Sequence, residues 1–125
     1  MIPPKWAQEL TLKAMLWWEE QNNKVPNFKL DWRHGNYSGT AWNSPIYRRE
    51  QRILISAGRD RIKAKLILLH EIAHQFCGER GHSQRFWDIA WQLYRWAKLP
   101  IRDTLRNESN YRKGALVAYK RNKRS

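Results

Sequence analysis

Residues 69–87 read LHEIAHQFCGERGHSQRFW, and the rest of the chain is best read outward from this stretch. It continues an amphipathic run that starts at Asp60. There Ile62, Leu66, Leu69, Ala73 and Phe76 step by three and four, the spacing of a buried helical stripe. The pattern predicts a helix over residues 60–77, with Asp60 as N-cap and Gly78 as the stop. A short loop then leads through Gly81 to His82. Ser83 has the chemistry of a second N-cap, and Phe86, Ile89, Leu93 and Ala97 continue a helix to about Lys98. Leu99-Pro100 ends it.

Within the first helix, His70-Glu71-Ile72-Ala73-His74 is an H-E-x-x-H motif. Positions four apart on an α-helix differ by only about 40° in direction, because a turn takes 3.6 residues. Both imidazoles can therefore reach one ion. Glu71 is then placed beside a metal-bound water, which zinc acidifies and the carboxylate can deprotonate. A catalytic zinc site has three protein ligands and one open position, and His82 is the natural third ligand. The competing readings are histidines that only cap or pack, and a solvated loop histidine at 82. Cys77 reads as a small buried residue near a helix end rather than as a ligand.

Upstream, residues 4–21 read as a helix opened by Pro4, with Trp6, Leu10, Ala14 and Trp17 at helical spacing. Three strands follow. In 28–33 (FKLDWR), Phe28, Leu30 and Trp32 alternate with Lys29, Asp31 and Arg33. His34-Gly35-Asn36 is turn chemistry, 38–43 (SGTAWN) is a weaker strand, and 52–56 (RILIS) is a third. The expected fold class is α+β: an N-terminal helix, a small three-stranded sheet of antiparallel type, the motif helix and one helix after it.

The 125 residues suit one domain, divided here into a core of residues 1–100 and a basic extension of 101–125. The extension carries eight Lys or Arg against two acids. Its segment 115–119 (ALVAY) is expected to dock as a short strand or helical turn, and the terminal KRNKRS to fray. Eight Trp imply a bulky core, an aromatic-lined cleft, or both. Trp87 and Trp91 read as core.

The chain has 24 Lys and Arg against 11 Asp and Glu, a net charge of +13 that attracts polyanions. Arg48, Arg49, Arg52, Arg59, Arg61, Lys63 and Lys65 form the candidate nucleic-acid contacts, with Trp42 and Tyr47 available to stack on unpaired bases. The alternative for this run is a solvated charged edge that discourages strand pairing. With one cysteine there is no disulfide within the chain and no four-cysteine zinc ribbon. No apolar run spans a bilayer and the first residues lack a signal-peptide core, so the expectation is an intracellular monomer, cytoplasmic or nucleoid-associated, with no membrane partner. A donor for a developing oxyanion could come from Tyr37, Tyr47, Tyr94, Arg85 or His34, among which the sequence does not choose.

The stretch 69–87 resembles the SprT-like zinc metallopeptidase family and its small YgjP-like and WLM-type relatives. The elements that carry the likeness are His70, Glu71, His74, Gly81-His82-Ser83 and Phe86. The order of helix, three strands and motif helix upstream is also similar. The resemblance implies a compact zincin-type domain that binds Zn2+ through His70, His74 and His82, uses Glu71 as general base and cleaves a protein or peptide substrate. Some larger members act on proteins crosslinked to DNA, but this chain cannot form the zinc ribbon of some relatives. Two other functions stay open. One is a basic nucleic-acid-binding module with a structural or inactive zinc site; the other is a zinc hydrolase acting on something other than peptides.

Overall fold

The computed structural model describes residues 2–24, 27–41, 52–79, 81–109 and 113–122. The fold is α+β, with elements α1 (Lys5–Asn22), β1 (Lys29–His34), β2 (Ser38–Ala41), β3 (Arg52–Ala57), α2 (Arg61–Cys77), α3 (Gln84–Trp96), α4 (Ile101–Ser109) and α5 (Lys113–Asn122). Among the described residues, no helix is long and apolar enough to cross a membrane.

The sheet is mixed rather than antiparallel, in the order β1-β3-β2. β3 runs parallel to β1, with Leu30 opposite Ile53 and Trp32 opposite Ile55. It runs antiparallel to β2, with Gly39 opposite Ile55. Burial explains the difference. The turn after His34 reverses the chain, so β1 and β2 point in opposite directions. β3 is the most apolar strand, and Ile53, Ile55 and Ala57 are almost wholly buried. It therefore takes the centre, and a strand between two opposed neighbours must be parallel to one of them. Among the described residues this leaves β2 at an edge of the sheet.

α2 packs against the sheet on one side and α3 on the other. Both capping readings hold. The Asp60 carboxylate accepts from the amides of Ile62 and Lys63, and Gly78 closes the helix at φ 75°. Burial is wider than the expected stripe, since every residue from Leu68 to Cys77 is buried. Ile62, by contrast, is exposed: the first turn of α2 projects beyond the packing. Of the described tryptophans, Trp32, Trp87 and Trp91 are core. Trp17 stacks on Trp96 and Trp18 on Phe76, which ties α1 to α3 and α2. No described Trp lines the main cleft.

Beyond Pro100 the chain forms two helices. The segment 115–119 lies inside α5, and residues 120–122 belong to that helix too, so this part of the terminal run is ordered helix. α5 packs on α3 and α4. Ala115 and Ala118, three positions apart on one helix face and small, are buried there, and the indole N–H of Trp91 donates to the Ala115 carbonyl at 2.9 Å. α4 buries Thr104 and Glu108, also one turn apart.

Candidate metal centre

The ring atoms Nε2 of His70 and His82 lie 3.1 Å apart, and those of His74 and His82 lie 3.3 Å apart. The three histidines are close enough together to hold a metal ion. Helix α2 supplies two of them, as its 3.6-residue period requires. The third comes from the loop, and the N-cap of α3 sets its position. Ser83 Oγ accepts from the Phe86 amide at 3.2 Å and donates to the Glu79 carboxylate at 2.8 Å. Phe86 is wholly buried and its ring touches all three imidazoles, at centroid distances of 5.0, 4.2 and 4.9 Å.

The outer ring nitrogens determine which tautomers are present. His74 Nδ1 faces the Glu79 carbonyl oxygen at 3.0 Å, and a carbonyl only accepts, so Nδ1 carries the hydrogen. His70 Nδ1 donates in the same way to the Glu108 carboxylate at 2.9 Å. With Nδ1 donating outward, each of these two rings turns its Nε2 toward His82. A cation among the three nitrogens satisfies all of them at once, and outer-side hydrogen bonds of this kind orient metal-bound histidines.

Glu71 projects from α2 toward β2. A Cβ added to Gly39 would stand 2.7 Å from Glu71 Cγ and 3.0 Å from its Oε2, so only glycine lets the strand approach the carboxylate this closely. A cleft of about 510 Å³ opens here. Its floor is α2, with His70 and Glu71; one wall is Tyr37 to Gly39, and the other is Asn107 and Glu108 of α4. Lys63 lies two turns along the same floor, its ammonium 5.5 Å from the centre of the Tyr37 ring.

Of the oxyanion candidates, Tyr94 is behind the histidines: its hydroxyl donates to Glu108 at 3.0 Å and lies 3.3 Å from His70 Nδ1. Tyr37 lines the cleft while its hydroxyl accepts from the Asp60 amide at 2.7 Å. His34 is exposed at the end of β1. Tyr47 lies outside the described residues, as do Trp42, Arg48 and Arg49 of the basic run. Arg52 pairs with Asp31 at 4.0 Å, Arg61 covers the Trp6 ring, and Lys63 enters the cleft.

Cys77 is buried and outside the histidine cluster. Burial first, and then the nearby Glu79 charge, push its thiol pKa up, which keeps it protonated and a poor ligand. The residues that sequence reasoning missed are Glu79 and Glu108. The only signal for Glu108 was that it is one of two acids in a basic segment, and Glu79 offered nothing beyond its place in the loop. Comparison with family models, curated proteins and solved structures gives no match.

Proposed function

We propose that the chain is a zinc-dependent peptidase of the SprT-like kind, with His70, His74 and His82 as zinc ligands and Glu71 as general base. The observation that carries the reading is the convergence of three Nε2 atoms beside a cleft floored by Glu71. Zinc fits the donor set. Four ligands in a tetrahedron at about 2.0–2.1 Å from the ion are about 3.3 Å from each other. Two of the three nitrogen separations, at 3.1 and 3.3 Å, match that edge, and all three atoms lie within 4.8 Å of one another. Three protein ligands leave one position open, the arrangement of catalytic rather than structural zinc.

When bound, zinc supplies an acidified water and a Lewis acid for the carbonyl. The chain's own residues do the rest. Glu71 accepts the proton of the attacking water and can return it to the leaving nitrogen. The hydrogen bonds at His70 and His74 hold each ring in its binding tautomer. β2 supports a peptide as the substrate. Among the described residues it is a sheet-edge strand that lines the cleft, so an extended chain could pair with it while its scissile carbonyl approaches the histidine triad. The net charge of +13 supports substrates met on nucleic acid, through weak salt-sensitive contact rather than a dedicated site.

The test is Glu71→Gln. The protein should bind about one equivalent of zinc, and peptide hydrolysis should fall by roughly 10²–10⁴-fold in the variant with folding and zinc content retained. Full hydrolysis by Glu71→Gln would overturn the reading. Salt-sensitive DNA binding without cleavage of any peptide would favour the binding module instead.

A further inference from the structure

The C-terminal helices reach the histidine triad from behind at two points. α4 presents Glu108, whose carboxylate receives His70 Nδ1–H at 2.9 Å and the Tyr94 hydroxyl at 3.0 Å. Both acid and imidazole are buried, at the wall and floor of the cleft. α5 starts beside Trp87: a Cβ added to Gly114 would stand 3.0 Å from the indole Nε1. Trp87 in turn stacks on His82, at 5.5 Å and 27°. One of the two helices thus fixes a triad member directly, and the other braces a second through a single intervening ring. His74 is held instead by the Glu79 carbonyl and by stacking on Phe86 of α3.

From this we infer that Glu108 is a positioning residue for the metal site, and that metal binding and the docking of α4 stabilise one another. His70 can turn its Nε2 lone pair to the ion only while Nδ1 keeps its hydrogen, and Glu108 is the group that holds that hydrogen. The carboxylate also makes the imidazole a stronger donor to a cation, because negative charge on one side favours positive charge on the other. Reciprocity follows from linkage. If docked α4 raises metal affinity, bound metal must raise the stability of docked α4 by the same factor. The segment that the sequence marks as a basic extension is then part of the metal centre and a wall of its cleft. This inference rests on the metal reading of the triad and is independent of peptide as the substrate.

The test uses the full chain and zinc alone. Competition against a chromophoric chelator gives zinc affinity for the wild type, Glu108→Ala and Glu108→Gln. Glu108→Ala should weaken zinc by about 10–100-fold. Glu108→Gln should recover most of the loss, since its amide oxygen can accept the same N–H. Hydrogen exchange on the wild type should show amides of residues 101–109 gaining protection when zinc is added, and Glu108→Ala should lose that gain. Should Glu108→Ala fail to fold, Glu108→Gln and the wild-type exchange data decide. Affinity of Glu108→Ala within twofold of wild type, or α4 protection that ignores zinc, would overturn the inference. Failure of the wild type to bind zinc would instead overturn the metal reading itself.

Discussion

α2 and α4 both touch the same imidazole, and their sequences declare it very differently. α2 writes its role into five consecutive residues, because a metal ion bridging one helical turn needs its ligands four positions apart. α4 contributes one carboxylate, thirty-eight residues after the ring it supports. Helical geometry makes the first relation local and therefore visible as a motif. The second depends on how α3, α4 and α5 pack, and no spacing rule encodes that. Ligands are legible where one element carries them; their supports are legible only after folding.

The sharpest way to test this contrast is to remove a ligand and compare it with removal of a support. His74→Ala deletes one of three donors. With an apparent zinc binding free energy of ~12 kcal/mol shared over three ligands, each is worth about 4 kcal/mol, or about 10³-fold in affinity. That is larger than the roughly 10–100-fold expected for a group outside the ligand set. Chelator competition on His74→Ala checks it. An affinity loss no greater than that of Glu108→Ala would erase the distinction between the two helices.

The same contrast explains what the sequence could and could not disclose about the fold. Asp60, Gly78 and Ser83 mark helix ends through local chemistry, and each acts as read. The strands were also legible, because Leu30 and Trp32, or Ile53 and Ile55, alternate with outward residues. Their order was not. The expectation was a sheet of antiparallel type, whereas the burial demand of β3 places it between β1 and β2 and makes the sheet mixed. Non-local burial likewise decides α5, where Ala115 and Ala118 give no strong stripe but fit closely against α3. In the candidate site, His70, His74 and His82 came from spacing, while Glu79 and Glu108 came from tertiary contact.

A second substitution separates the cleft face of α2 from its histidine face. Gly39→Ala adds a methyl 2.7 Å from Glu71 Cγ and 2.8 Å from Ile67 Cγ2. Overpacking of this kind costs about 1–3 kcal/mol. The strain falls on Glu71 and the edge strand, not on the imidazoles. Hydrolysis should therefore drop by about tenfold or more, since 1.4 kcal/mol is a factor of ten, while zinc affinity stays within about threefold. Peptidase assay and chelator competition on one preparation check both halves. Equal loss of the two would mean that β2 and the histidines respond as one unit.

The smallest effect is expected at the outer end of the C-terminal helices. Asp88 on α3 accepts from the Arg121 guanidinium and, at 2.8 Å, from the Asn122 amide. Arg121 and Asp88 are partly exposed, and exposed pairs contribute about 0–1 kcal/mol because solvent and salt screen them. Asp88→Ala should therefore lower stability in denaturant titration by no more than about 1 kcal/mol. Zinc affinity should stay within about twofold, because α5 is also held by Ala115, Ala118 and the Trp91 hydrogen bond. The consequence for α4 is specific. If its coupling to the metal runs through the buried Glu108 carboxylate, loosening the last turn of α5 leaves that path intact. A zinc affinity in Asp88→Ala as weak as in Glu108→Ala would instead spread the coupling over the whole C-terminal pair, and Glu108 would lose its separate standing.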